Sequence, residues 1–208
     1  MQRRTDTLWL VRHGESTWNA LGLVQGQKTE PVLTPRGVDQ ARQAADALSD
    51  AVGDHPVRAV FSSDLRRAVQ TAVPVTAALG PHAVADPRLR ERCFGTIEGL
   101  PSRLLSADHS GFRTERVVDA DAAPPEGESL RDLVRRTAGF VEDELVYGDV
   151  GGDADGDVVL VVHGGVVRAL LAWLDGVAPD RMGWGPVGNG LVVGRPLALA
   201  QEVSRTAA

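Results

Sequence analysis

The chain has 208 residues, of which 43% are hydrophobic, 24% charged and 4% aromatic, as expected for one globular domain with a substantial core. A formal net charge of −6 argues against a general nucleic-acid-binding protein, and a single lysine, Lys28, among 22 basic residues argues against lysine-dependent chemistry. A single cysteine and an amino terminus without the apolar segment of a signal peptide predict a cytoplasmic protein with no disulfide and no membrane partner.

Short apolar runs alternate with stretches of helical periodicity along the chain. In chain order, the predicted elements are a strand over residues 7–11, a helix over 35–51, a strand over 57–61, helices beginning near 65 and 129, a strand over 158–162 and a helix over 166–174. Thr34, residues 62–64 and Ser129 are expected to cap the helices that follow them. This order predicts an α/β fold of three layers, with a mostly parallel central sheet and helices on both faces.

No linker divides the sequence, so we expect a single domain over residues 1–208. Within it, residues 91–128 are rich in Gly, Pro, Asp and Arg, and they are predicted to form a lid of loops and short helices that carries specificity. The arginines in and beside this segment are Arg88, Arg90, Arg92, Arg103, Arg113 and Arg116. Their simplest interpretation is solvated surface, and the alternative is that one or two contact an acidic substrate.

Two histidines follow predicted strands in equivalent settings. His13 is the middle residue of an Arg-His-Gly sequence after the first strand, and His163 begins a His-Gly-Gly sequence after the strand over 158–162. Because ligands bind beyond the carboxyl ends of strands in an open α/β sheet, we expect both imidazoles at one site. Histidines and arginines together suit a phosphoryl group, which carries a charge near −2 at neutral pH.

Four sequence blocks extend this pattern over most of the chain. They are LVRHGESTWN at 10–19, SSDLRRAVQTA at 62–72, LRERCFG at 89–95 and VVHGG at 161–165. Their content and order resemble the histidine phosphatase superfamily, in its phosphoglycerate-mutase-like branch. The resemblance implies a phosphoglycerate mutase-like fold and chemistry through a phosphohistidine.

The resemblance also implies a role for five residues. His13 is the nucleophile, which must be neutral and hold its other ring nitrogen as a donor to a nearby backbone carbonyl. Arg12, Arg67 and a protonated His163 bind the phosphoryl oxygens. Glu91 is the general acid, which gives a proton to the leaving oxygen and later takes one from water.

Further positions match residues that contact the phosphate or the substrate in relatives, namely Asn19, Gln25 and the backbone N–H of Gly164. The family pattern places the functional arginine directly before the alanine of the second block. It therefore selects Arg67, and its neighbour Arg66 is assigned to the surface, because adjacent helical residues point about 100° apart.

No cofactor and no metal site are predicted. The aspartate-rich run over 153–157 lacks the glycine and the glutamate that a calcium loop requires, and it is interpreted as a solvated turn. His55, His82 and His109 lack the spacing of metal ligands.

The predicted activity is hydrolysis of a small phosphorylated metabolite by a metal-independent phosphomonoesterase. Glu91 and His163 are 72 positions apart, with the one tyrosine Tyr147 between them, whereas cofactor-dependent mutases of the family carry a longer insertion rich in proline and tyrosine. Two alternatives stay open, a cofactor-dependent phosphoglycerate mutase and a catalytically silent binding member. The natural substrate and the oligomeric state are also left open.

Overall fold

The structure is a computed structural model that describes residues 6–104, 112–113, 116–117, 119–147, 155–183 and 185–207. Its strands are β1 (Thr7–Arg12), β2 (Val57–Ser62), β3 (Ala83–Ala85), β4 (Phe112–Arg113), β5 (Arg116–Val117), β6 (Asp157–Val162) and β7 (Val192–Pro196). Its helices are α1 (Thr17–Ala20), α2 (Pro35–Val52), α3 (Arg66–Leu79), α4 (Leu130–Val141), which continues as a π-helical turn over Glu142–Val146, α5 (Gly164–Leu174) and α6 (Ala198–Ala207). Part of the predicted lid, including His109, lies outside the described residues.

A five-stranded sheet in the order β3-β2-β6-β1-β7 organises the fold. The first four strands are parallel, and β7 pairs antiparallel with β1. Arg12 at the end of β1 lies opposite Val162 at the end of β6. The residues that follow these two strands, His13 and His163, therefore leave the sheet side by side. This arrangement confirms the mostly parallel α/β sheet.

Hydrophobic cores on the two faces of the sheet confirm the three layers. Side chains of α2 and α3 form one core, and those of α4, α5 and α6 form the other. Alternate residues of β6 enter each core, so this strand is buried along its whole length, which explains its continuous apolar sequence. Among the described helices, none combines the length and the apolarity needed to cross a membrane.

Helix starts agree with expectation at two positions and differ at two others. The side chains of Thr34 and Ser129 cap α2 and α4 by accepting backbone N–H bonds. The cap expected from residues 62–64 is wrong, because the N-cap of α3 is Leu65, which offers no side-chain acceptor. Helix α5 begins two residues earlier than predicted, with His163 as its N-cap. Its glycine pair thus forms the first turn of a helix instead of a loop.

Candidate active site

The imidazoles of His13 and His163 lie in one buried pocket beyond β1 and β6. Their ring centroids are 5.1 Å apart, with the ring planes inclined by 61°. Nδ1 of His13 is 2.6 Å from the carbonyl oxygen of Gly14. Because a carbonyl oxygen only accepts, Nδ1 carries the proton and Nε2 keeps its lone pair. His13 therefore has the tautomer and the carbonyl partner expected of a nucleophile.

Burial and neighbouring arginines lower the pKa of both imidazoles. Burial is the main cause that holds the pKa of His13 well below its ordinary value, and the charges of Arg67 and Arg12 add to it. Burial followed by Arg67 likewise lowers the pKa of His163, whose two ring nitrogens have no hydrogen-bond partner in the described part of the chain. The lowered pKa disfavours a protonated His163 in the protein without a ligand. Protonation requires an anion against the ring, because a neighbouring negative charge favours the charged form.

Arg12 and Arg67 flank the two rings, and backbone carbonyls hold both guanidinium groups. Nη1 of Arg12 donates to the carbonyl of Val187. Nη2 and Nη1 of Arg67 donate to the carbonyls of Gly26 and Lys28, at 2.8 and 2.9 Å. The Nε–H of each arginine is buried and has no partner among the described residues. Because an unsatisfied buried donor is costly, these two N–H groups favour an anionic ligand.

The loop over residues 26–28, whose carbonyls accept hydrogen bonds from Arg67, also contacts Glu98. Glu98 was not singled out from the sequence. One oxygen of its carboxylate accepts hydrogen bonds from the backbone N–H groups of Gln27 and Phe94, both at 2.9 Å. A Cβ at Gly26 would lie 1.9 Å from that oxygen, so glycine is needed there. Arg66 is exposed and Arg67 is buried, in agreement with the expected difference between them.

The carboxylate of Glu91 is held by two backbone amides. Oε2 accepts from the N–H of Gly165 at 3.0 Å, and Oε1 accepts from the N–H of Arg92 at 2.8 Å. Gly165 lies in the first turn of α5, two residues after His163. The hydrogen bond therefore brings Glu91 to the element that carries the second histidine.

Asn19 and Gln25 lie together around Ser16, the N-cap of α1. The backbone N–H of Ser16 donates to Oδ1 of Asn19 at 3.1 Å, and its hydroxyl donates to Oε1 of Gln25 at 2.7 Å. Asn189 donates both to Asn19 and to the carbonyl of His13, each at 3.2 Å. With the amide oxygens engaged in this way, the amide N–H groups of both side chains are the donors suited to a phosphate oxygen.

Arg168 is a third arginine at the pocket to which the sequence analysis gave no role. A Cβ at Gly164 would lie 3.2 Å from Nη1 of Arg168 and 3.4 Å from Nε of Arg12, so Gly164 sits against two guanidinium groups. The Nε–H of Arg168 donates to the carbonyl of Gly185 at 2.8 Å, and burial lowers the pKa of Arg168. Its spacing of four residues from Gly164 on a helix is the signal that could have identified it.

Three of the six arginines around the predicted lid, Arg88, Arg90 and Arg92, have partners within the protein. Arg88 forms ion pairs with Asp86, Asp143 and Glu144. Arg90 forms an ion pair with Asp64. Arg92 is fully buried and donates to the carbonyls of Ala122 and Glu128. A solvated surface position is therefore wrong for Arg92. Arg103 is exposed, and the side chains of Arg113 and Arg116 lie outside the described residues.

One group of described side chains has the spacing of metal ligands, in contrast to the expectation for His55. Side-chain nitrogen or oxygen atoms of Asp6, His55 and Asp157 lie within 4.8 Å of one another. They lie at the amino ends of the strands, whereas His13 and His163 follow the carboxyl ends. The carboxylate of Asp157 accepts hydrogen bonds from the backbone N–H of Thr7 and the indole N–H of Trp9, both at 2.8 Å. These bonds account for a buried carboxylate without a cation. A solvated turn is wrong for Asp157, and residues 153–154 lie outside the described residues.

The chain is similar to known proteins in both sequence and fold. Residues 8–193 match the family model of the histidine phosphatase superfamily (branch 1). "Probable phosphoglycerate mutase GpmB" of Yersinia pestis is 36% identical over 171 residues, which cover 82% of this chain and 75% of that protein. A mycobacterial glucosyl-3-phosphoglycerate phosphatase solved with VO3 is 34% identical, with a TM-score of 0.76 over 91% of this chain and 92% of its own. A protein of Thermus thermophilus, TTHB049, is 35% identical, with a TM-score of 0.65 over 90% and 92% of the two chains.

Proposed function

Because the chain belongs to the histidine phosphatase superfamily, whose members are phosphatases or mutases, we propose that it hydrolyses a small phosphorylated metabolite through a phosphohistidine intermediate. The observation that carries this proposal is the buried pocket in which His13, with Nε2 unprotonated, lies beside His163 and two arginines. In this proposal, residues 1–208 act as one domain, and residues 91–128 cover the pocket and select the leaving group.

In the first step, Nε2 of His13 attacks phosphorus in line, and the ester P–O bond breaks with its electron pair on the leaving oxygen. The carboxyl group of Glu91 gives that oxygen a proton. The Nε–H groups of Arg12 and Arg67, with His163 protonated once the anion is bound, stabilise the charge on the phosphoryl oxygens. In the second step, water attacks phosphorus, the P–N bond breaks, and the carboxylate of Glu91 takes the proton of the water.

Two amide side chains and one backbone amide complete the proposed phosphate site. Asn19 and Gln25 supply neutral donors, and the N–H of Gly164 supplies another at the start of α5. Helix starts favour anions, because their first N–H groups have no partner within the helix. Since arginines and these donors provide the charge stabilisation, the proposed mechanism requires neither a metal ion nor a cofactor.

Phosphoglycerate mutase is the second candidate, because the Yersinia relative carries that name. A mutase returns the phosphoryl group of the phosphohistidine to a second hydroxyl instead of to water. The short interval between Glu91 and His163 favours hydrolysis. Incubation with 3-phosphoglycerate and a small amount of bisphosphoglycerate, which can phosphorylate the histidine first, followed by 31P NMR, separates the two: a phosphatase accumulates free phosphate, and a mutase forms 2-phosphoglycerate.

The nucleophile is tested by trapping. Wild-type protein, His13→Gln and a control, His82→Gln, which changes an exposed histidine, are mixed with a 32P-labelled aryl phosphate and quenched rapidly. We expect base-stable, acid-labile label on the wild type and on the control, and no label on His13→Gln. The hydrolysis rate of His13→Gln should be lower than that of the wild type by about 10³-fold or more. Equal rates for wild type and His13→Gln would contradict the mechanism. Ligand binding without turnover by the wild type would instead favour the silent binding member.

A further inference from the structure

The guanidinium group of Arg136, in helix α4, donates hydrogen bonds to the backbone of residues 88–93, the segment that carries Glu91. Its Nη1 donates to the carbonyl of Arg88 at 2.6 Å and to that of Arg90 at 3.0 Å. Its Nη2 donates to the carbonyl of Glu91 at 3.4 Å. The same guanidinium forms a bidentate pair with Glu128, in which Nε and Nη2 each contact one carboxylate oxygen at 2.8 Å. All three of its nitrogens are thereby engaged.

Glu128 extends these bonds to the next two residues of the segment. Its carboxylate accepts from the N–H of Cys93 at 3.1 Å, and its own N–H donates to the carbonyl of Cys93 at 2.9 Å. The Nε–H of Arg92 donates to the carbonyl of Glu128 at 2.7 Å. Leu89, the remaining residue between 88 and 93, is fully buried in the core. Each residue of 88–93 is therefore anchored.

The Arg136–Glu128 pair is well shielded, with its side chains 21% and 13% exposed. The geometry is the fork-to-carboxylate arrangement that only arginine makes, since an ammonium group acts as a single point of charge. Removing one member of such a pair leaves the other charge poorly solvated, so the arrangement holds together as a unit. Arg136 contacts Glu91 at the backbone, whereas the carboxylate of Glu91 contacts Gly165 and Arg92.

We propose that Arg136 and Glu128, named here the acid brace, position Glu91 for proton transfer to the leaving oxygen. This inference rests on the proposed function, in which Glu91 is the general acid. Without the acid brace, the backbone of 88–93 relaxes, and the carboxylate moves from the N–H of Gly165. A shift of about 1 Å is enough to cost about 10²-fold in rate.

Leaving groups of different acidity provide a readout that general loss of structure does not move. Expulsion of 2,4-dinitrophenolate needs little help from an acid, whereas expulsion of phenolate depends on it. The test compares kcat/KM, which reports the first chemical step, for phenyl phosphate and 2,4-dinitrophenyl phosphate. The variants are Arg136→Met, Arg136→Lys and a control, Arg135→Met, which changes the neighbouring arginine, 73% exposed and paired with Asp132.

We expect both Arg136 variants to lose about 10²-fold with phenyl phosphate and about 3-fold or less with 2,4-dinitrophenyl phosphate, with Arg135→Met unchanged. If Arg136→Met folds poorly, Glu128→Gln serves as the second variant. It keeps the side-chain shape and an oxygen that accepts from the N–H of Cys93, and it should show the same selective loss with phenyl phosphate. Equal losses with the two substrates, or no loss with either, would overturn the acid brace.

A second measurement is independent of activity. In 1H–15N spectra, the amide resonance of Gly165 should shift in Arg136→Met and stay in place in Arg135→Met, because that amide donates to Glu91. An unmoved resonance in a folded Arg136→Met variant counts against the acid brace. Failure of the proposed function is a different result, in which the wild type hydrolyses neither phosphate ester while the Gly165 resonance still responds to Arg136→Met.

Discussion

The backbone N–H of Gly165 donates a 3.0 Å hydrogen bond to the carboxylate of Glu91, across 74 positions of sequence. Glu91 lies on a segment outside the central sheet, and Gly165 lies in the first turn of α5. This bond joins the candidate acid to the helix whose N-cap is His163. The placement of the acid therefore depends on a residue that has no side chain.

Gly165→Ala should impair catalysis because the added Cβ would lie 2.2 Å from Oε1 of Glu91. The carboxylate must then move, and we expect kcat/KM for phenyl phosphate to fall by about 10²-fold. Gly139→Ala is the matched control, since a Cβ at this position in α4 meets nothing within 4 Å. It should keep full activity and gain up to about 1 kcal/mol in the free energy of unfolding. Equal activity of the two variants would contradict the role of Gly165.

Arg67→Lys should weaken phosphoryl transfer although it keeps the charge. Arginine uses two nitrogens to hold the carbonyls of Gly26 and Lys28 and leaves Nε–H for an anion. The three N–H bonds of an ammonium group all start from one nitrogen, so lysine cannot reproduce these separated donor positions. We expect kcat/KM for an aryl phosphate to fall by about 10²-fold. The control is Arg66→Lys, at the exposed neighbouring position, which should retain wild-type kinetics. Similar kinetics for both variants would remove Arg67 from the phosphate site.

The lowered pKa values of His13 and His163 predict a loss of stability in acid. Above the ordinary imidazole pKa of about 6.5, the folded and unfolded states both hold neutral rings. Below it, the unfolded chain binds protons that the folded chain excludes, so the free energy of unfolding falls by up to about 1.4 kcal/mol per pH unit for each histidine. This loss continues until the pH reaches the lowered pKa values.

Urea denaturation between about pH 7.5 and 5.5 measures this slope. His163→Asn should make the slope shallower, because it removes one of the two buried imidazoles. His82→Asn changes an exposed histidine and should leave the slope as in the wild type. A wild-type slope in His163→Asn would show that this ring is protonated in the folded protein.

Asp157→Asn should reduce stability and spare activity. In the wild type, one carboxylate oxygen accepts from the backbone N–H of Thr7 and the other from the indole N–H of Trp9. The substitution replaces one of these oxygens by an NH2 group, so that two donors then face each other. We expect a loss of about 1–3 kcal/mol in the free energy of unfolding, measured in urea. Asp39→Asn, at a position 65% exposed, should cost about 0.5 kcal/mol or less. An altered kcat/KM for Asp157→Asn would show that the amino ends of the strands communicate with the pocket.

The sequence by itself determined three of the five strands of the central sheet and the edge at which the two histidines lie, and it predicted neither β3 nor β7. The runs that became β1 and β6 are apolar on both faces, so they had to lie inside a covered parallel sheet. The carboxyl ends of adjacent parallel strands lie at one edge, so His13 and His163 had to meet there. Helical geometry required that Arg66 and Arg67 point apart, and the family resemblance selected Arg67 as the one that faces inward, which agrees with exposed Arg66 and buried Arg67.

Only the tertiary structure decided how the pocket is held and charged. The lowered pKa of His163 comes from burial and from Arg67, and the anchoring of Glu91 comes from Gly165 and Arg136. Each of these contacts joins residues more than 40 positions apart, and sequence periodicity describes only neighbours within a turn or a strand. Whether an arginine is a solvated charge or a buried support, as at Arg136, depends on carbonyls that other segments bring to it.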